Sequence, residues 1–279
     1  MKKRVISSCV FVPIIVGTAL TGGLLFLAVV LVICGISAWE FGRIFDRHDG
    51  IRTPLILLVV SVIILILARW FIGIDASHRT LTFCIMGAML CGTILCEREV
   101  PKSALSFVVL TTGMVYIGWL GGYMVSLRQL PDGAVKFLMV MFMVWINDVG
   151  AFTVGRAIGK HKMFKIVSPK KTWEGFFGGM LFTMLISILA QMFIPVVHNT
   201  VDLPQILILS AAVSISGPLG DYGESMIKRC YGVKDSSNLI PGHGGFFDRF
   251  DSCFFAMPVA YYVFELIRWL CFEHCCYSR

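Results

Sequence analysis

Charge is scarce in this sequence. Charged residues make up 15% of its 279 positions, against about 25% in soluble domains. With 57% hydrophobic residues, that shortage excludes an ordinary water-soluble fold and makes the bilayer the solvent for most of the chain. The ten cysteines form no CxxC pair and no His/Cys ligand spacing, which excludes a zinc module. They are read as small buried hydrophobes and free thiols. Neither Gly155-x-x-x-Gly159-Lys160 nor Lys171-Thr172 completes a Walker P-loop, which needs four residues between its glycines and then Gly-Lys-Ser/Thr. Heptads, low-complexity tracts and a soluble second domain are absent. So is the duplicated hydropathy pattern of many transporters. The net charge of +7 would suit nucleic acid, but its cations flank apolar runs, so no nucleic-acid partner is expected.

Long apolar runs are what the sequence does have. Lys2-Lys3-Arg4 precedes an uncharged run from Val5 to Trp39. That run is too long for the core of a signal peptide and for one span of about 20 residues. It reads as two helices turning at Thr21-Gly22-Gly23. Further runs lie near residues 54–74, 80–96, 104–127, 134–154, 175–197, 203–220 and 252–272. The expected fold is an all-α polytopic membrane protein of about nine transmembrane helices. Residues 1–140 would hold about five N-terminal spans, and residues 141–279 a catalytic region. Ser214, Ser216, Gly217 and Pro218 predict a kink near the end of the eighth run. With the N-terminus in the cytoplasm, 18 of the 24 Lys and Arg fall on the inside, as the positive-inside rule requires. Both polar loops, 155–173 and 221–251, are then cytoplasmic, and the C-terminus is outside.

One polar stretch stands against this background. Residues 225–251 concentrate Lys228, Arg229, Lys234, Asp235, His243, Asp248, Arg249 and Asp251, with Gly244 and Gly245 beside the histidine. Asp221, Glu224, Ser225 and Lys228 fall at i, i+3, i+4 and i+7, one face of a helix, and Asp248 and Asp251 share another. Two acidic pairs converging from two helices make an oxygen-rich cage suited to Mg2+. The glycines leave backbone free to touch phosphate or ribose. His243 reads equally as a phosphate donor, an acid/base or a strut. Upstream, Asp148 lies in or at the end of an apolar run, where a carboxylate is costly and marks function by default. Gly155 and Gly159 serve either helix packing or close approach to a ligand. Ser168-Pro169 has the form of a helix N-cap and first helical position, which would aim N–H groups at an anion beside Lys170 and Lys171.

These residues carry a resemblance. Ser225, Lys228-Arg229, Lys234-Asp235, Pro241, His243-Gly244-Gly245, Asp248-Arg249 and Asp251 are similar to the motif of the phosphatidate cytidylyltransferases, also called CDP-diacylglycerol synthases. The second polar block, with Asp148, Gly155-Arg156, Gly159, Ser168 to Thr172 and Glu174-Gly175, resembles that family as well. So does Trp39-Glu40, which ends the second span. The resemblance implies transfer of cytidylyl from CTP to phosphatidic acid, with Mg2+, by a homodimer in a bacterial inner membrane whose site faces the cytoplasm. It implies metal binding by Asp221, Asp248 and Asp251. Lys228, Arg229, Lys234, Asp248, Arg249 and His243 are the expected catalytic groups. Asp148, Arg156, Ser168, Lys171, Thr172, Glu174, Ser225, Gly244 and Gly245 are expected to contact substrate. Two alternatives stand beside this reading: a CTP-dependent transferase acting on another lipid phosphate, and an anion transporter.

Overall fold

The computed structural model describes residues 2–48, 54–96, 100–240 and 244–277. The expected hairpin is present as α1 (Lys2–Thr21) and α2 (Gly23–His48). Its turn is made by Gly22 and Gly23, both left-handed with φ of 69° and 59°, a conformation that costs glycine least. Arg128 secures this corner by donating from Nε to the Ala19 carbonyl at 2.6 Å, one of the carbonyls a helix end leaves without a partner. The second helix continues past Trp39-Glu40 to His48, so Glu40 sits inside it.

The chain continues through α3 (Leu55–Phe71), α4 (Ile74–Cys96) and α5 (Val100–Gly113). A π-helical stretch, Met114–Trp119, joins α5 to the short α6 (Tyr123–Gln129). Then come α7 (Gly133–Ile158), a small antiparallel hairpin of β1 (Lys162–Phe164) and β2 (Ser168–Thr172), and α8 (Trp173–Phe193). The last elements are α9 (Pro195–Thr200), α10 (Leu203–Cys230) and α11 (Phe247–Tyr277). Among the described residues, six helical stretches are long and apolar enough to cross a membrane: Gly23–Asp46, Ala104–Gln129, Gly133–Ile158, Trp173–Phe193, Leu203–Cys230 and Phe247–Trp269. Phe11–Thr21 and Leu55–Phe71 are shorter apolar helices. The protein is therefore all-α and polytopic. Large apolar side chains stand outward, Ile56 at 82% and Phe193 at 75% exposure, as on a surface solvated by lipid.

Two expectations need correction. Ser168-Pro169 does not start a helix; it opens β2, because a proline's fixed φ also fits an extended strand. The N-cap is Thr172, whose Oγ accepts from Gly175 N at 3.2 Å. The stretch 221–251 is not all loop, since α10 runs through Pro218 to Cys230 and α11 begins at Phe247. Gly155 and Gly159 serve helix packing, and both also line a chamber beside Lys171 and Thr172. A Cβ on Gly155 would lie 3.4 Å from Gly175 Cα, and one on Gly159 would collide with Thr172. Gly179 lies equally tight on Asn147 and Ala151. Small residues thus bring α7 and α8 to backbone contact.

Candidate active site

The site begins where α10 and α11 touch. A Cβ on Gly220 would clash with the Asp251 carbonyl, so only glycine lets the two backbones meet there. The Gly220 carbonyl is fixed from the other side by Tyr116 of the π-helical stretch, whose hydroxyl donates to it at 2.8 Å. Such π turns often sit at functional sites. This contact sets Asp221 and Glu224 of α10 beside Asp251 of α11. One carboxylate oxygen from each lies within 4.8 Å of the other two, with Glu224 and Asp251 buried.

Three carboxylates this close repel one another in a poorly hydrated setting. The described residues relieve the strain only in part. Lys171 of β2 pairs with Asp221 and lies 4.2 Å above the Tyr222 ring. Ser225 Oγ donates to Asp221 at 3.2 Å. Lys228 Nζ sits 2.8 Å from Glu224 Oε2 and 2.6 Å from Asp248 Oδ1. Asp251 accepts from Ser252 N at 2.6 Å. Glu224 Oε1 is buried with no hydrogen-bond partner. An orphaned carboxylate oxygen among two further carboxylates is a donor set that a hard divalent cation fits.

Asp248 stands in a different setting from this trio. Beyond Lys228, it accepts from Ser236 N at 2.9 Å, Ser236 Oγ at 2.9 Å and Gly245 N at 2.7 Å. Its oxygens are thus taken up by the loop that leads into α11. That loop is also held from α2. Glu40 is fully buried. Its Oε1 accepts from Ser237 Oγ at 2.5 Å and Phe246 N at 3.2 Å, and its Oε2 from Ser236 Oγ at 3.1 Å and Phe247 N at 2.8 Å. Gly244, at φ 83°, and Gly245 have no room for a side chain, the first against Asp248 and the second against Ser236 and Glu40.

Two chambers flank the acidic trio and share Asp148 and Asp221 in their walls. The first, about 440 Å3, is lined by Glu224, Lys228, Asp248, Arg249 and Asp251 together with Phe11, Ile15, Met141 and Trp145. The second, about 610 Å3, carries Arg156, Lys162, Lys170, Lys171 and Thr172 with Phe152, Phe176 and Tyr222. One chamber is thus mainly acidic and the other basic, and they meet at two aspartates.

Other expected site residues are used differently. Arg229 donates to the Val167 and Val233 carbonyls at 3.4 and 3.1 Å, away from both chambers. Glu174 accepts from His161 N at 3.1 Å and pairs with its ring at 2.5 Å, latching α8 to the start of the hairpin. Ser168 and Lys234 line neither chamber. His243, with Pro241 and Gly242, lies outside the described residues. Two groups were under-weighted by sequence reasoning. Glu224 already had its signal, three residues after Asp221 on the same helical face. Glu40 had only the signal of a carboxylate ending an uncharged run.

A family model described as the cytidylyltransferase family matches residues 2–267. A protein of Staphylococcus epidermidis named phosphatidate cytidylyltransferase is 31% identical over 261 residues, covering 93% of this chain and 97% of that protein. One of Bacillus subtilis with the same name is 29% identical over 273 residues, covering 95% and 98%.

Proposed function

The chain belongs to the cytidylyltransferase family, and from that premise we propose that it transfers the cytidylyl group of CTP to phosphatidic acid, giving CDP-diacylglycerol and pyrophosphate. The observation that carries this reading is the meeting of a basic and an acidic chamber at Asp148 and Asp221. The reaction must bring two polyanions together. An oxygen of the phosphatidate monoester forms a bond to the α-phosphorus of CTP, and the bond from that phosphorus to the pyrophosphate oxygen breaks. The nucleophile is already ionised near neutral pH, since a phosphate monoester loses its second proton near pH 6, so no strong general base is required. The protein's task is positioning and charge neutralisation.

Lys171 and Lys228 pair with the acidic trio, Arg249 lines the acidic chamber, and Arg156, Lys162 and Lys170 extend the basic wall. We assign them to the phosphates of the two substrates. Asp221, Glu224 and Asp251 would hold Mg2+, which when bound supplies positive charge to phosphoryl oxygens. Asp148 borders the meeting point of the chambers, and Asp248 keeps Lys228 and the loop in place. The remaining expectations belong to the same proposal. The catalytic region begins within α7, near residue 141. Nine crossings with the N-terminus inside put both chambers at the cytoplasmic face, supported by the distribution of Lys and Arg. The inner-membrane setting and the homodimer rest on the family resemblance.

The test is an assay of purified protein in detergent with CTP labelled at the α-phosphate, phosphatidate and MgCl2. Label should pass into the lipid phase with an equal amount of pyrophosphate released. Label that stays aqueous overturns the reading, and label that passes to a polyprenyl phosphate instead redirects it to another lipid acceptor.

A further inference from the structure

Glu40 is the most heavily hydrogen-bonded carboxylate whose purpose the proposed chemistry leaves open. It lies on α2, which lends it to neither chamber. Yet it is fully buried and receives four donors from a segment about 200 residues further along, Ser236, Ser237, Phe246 and Phe247. Burying a carboxylate is costly unless donors surround it. Here the Ser237 hydroxyl and two backbone N–H groups do so, and the Ser236 hydroxyl divides its one proton between Glu40 and Asp248.

The neighbouring packing points the same way. Phe41, next along α2, meets the ring of Phe247 at 5.7 Å, and Phe45 meets Tyr231 at 4.7 Å. The face of α2 around Glu40 is therefore a seat for both ends of the segment between α10 and α11. Gly245 presses against Glu40 so closely that a Cβ would collide with its carboxylate. The contact continues into the site by direct bonds. Ser236, held by Glu40, gives its N–H to Asp248. Asp248 holds Lys228, and Lys228 holds Glu224 of the acidic trio.

We propose that Glu40 is a positioning residue for the transfer reaction: by clamping Ser236, Ser237, Phe246 and Phe247 it sets the Asp248–Lys228 pair and, through it, the orientation of Glu224. The inference rests on the function proposed above. Glu40 touches no substrate in this scheme and acts through Asp248 and Lys228. A merely structural Glu40 would alter how much protein folds and leave each folded molecule normal. A positioning Glu40 alters the folded molecule's turnover and its demand for divalent cation.

Glu40→Gln separates the two. The amide keeps the shape, but either orientation turns its NH2 group on a backbone N–H, Phe246 or Phe247, which also donates. The monodisperse, folded fraction is assayed for turnover and for half-saturation by MgCl2. Loss of hydrogen bonds to a charged group corresponds to an expected fall of about 10- to 100-fold in turnover, with Mg2+ half-saturation shifted upward. Ser237→Ala leaves both backbone donors, the Glu40 charge and the Ser236–Asp248 bonds in place, so folding should survive. It should move both readouts in the same direction by a smaller factor. If Glu40→Gln yields no folded protein, Ser237→Ala decides. Wild-type turnover and Mg2+ response in the folded fraction of Glu40→Gln, or in Ser237→Ala, overturn the proposal. A wild-type enzyme that transfers no cytidylyl group would instead overturn the functional reading.

Discussion

Lys228 offers the sharpest separation of stability from activity. Its side chain is 9% exposed and its ammonium serves two carboxylates, Glu224 at 2% and Asp248 at 5% exposure. Lys228→Met keeps most of the aliphatic stem and removes the charge. Asp248 would retain Ser236 and Gly245 as donors, so the loss falls mainly on Glu224, whose other oxygen is already without a partner. Removing one member of a buried ion pair costs about 3–5 kcal/mol, and that is the loss expected here. Lys171→Met is the control. Its pair with Asp221 is 31% and 29% exposed, which places it near the surface range of about 0–1 kcal/mol. Both variants should lose turnover, while only Lys228→Met should unfold at a much lower temperature. Adding Glu224→Gln to Lys228→Met should recover most of the lost stability, because the abandoned charge goes with its partner, and none of the activity. The measurement is the thermal midpoint in detergent with turnover on the same sample. A Lys228→Met midpoint equal to wild type, or a Lys171→Met midpoint equally lowered, would show that the buried pair does not carry the load assigned to it.

Two further outcomes are expected. Glu224→Gln should raise the MgCl2 concentration needed for half-maximal rate more than Asp248→Asn does, because both Asp248 oxygens are occupied by protein donors while Glu224 keeps one oxygen bare; equal shifts would remove Glu224 from the cation site. In a cysteine-depleted background, single cysteines at positions 162 and 239 should react with an impermeant thiol reagent only from the cytoplasmic side, and reaction from outside at either position refutes the orientation.

The membrane character and the acidic face of α10 were both legible in the sequence, for simple reasons. Hydropathy reports the solvent directly, and the spacing of Asp221, Glu224, Ser225 and Lys228 is a local property of one helix. The glycine turn at residues 22–23 was legible because few other residues tolerate that backbone. The hairpin at 162–172 was not. Ser-Pro followed by lysines suits both an N-cap and a strand, and the choice is made by the pairing of Lys162 with Thr172, which no short window contains. The division of labour between Asp248 and Glu224 was hidden for a similar reason. Both are acidic residues in polar surroundings, and only the folded loop decides that one is filled by N–H donors while the other keeps a bare oxygen. Glu40 was the hardest case, since all four of its partners lie near the far end of the chain.

That distance also has a meaning in time. Glu40 is synthesised 196 residues before Ser236. At a synthesis rate of roughly 5–20 residues per second, it waits about 10–40 s for the donors that will surround it. During that interval α2 must be held in or against the membrane with an unmatched carboxylate near one end. In the proposed orientation that end faces the cytoplasm, where water can solvate the group until the last helices arrive. The burial of Glu40 is then a late event in assembly, and the clamp closes only when α10 and α11 are both in place.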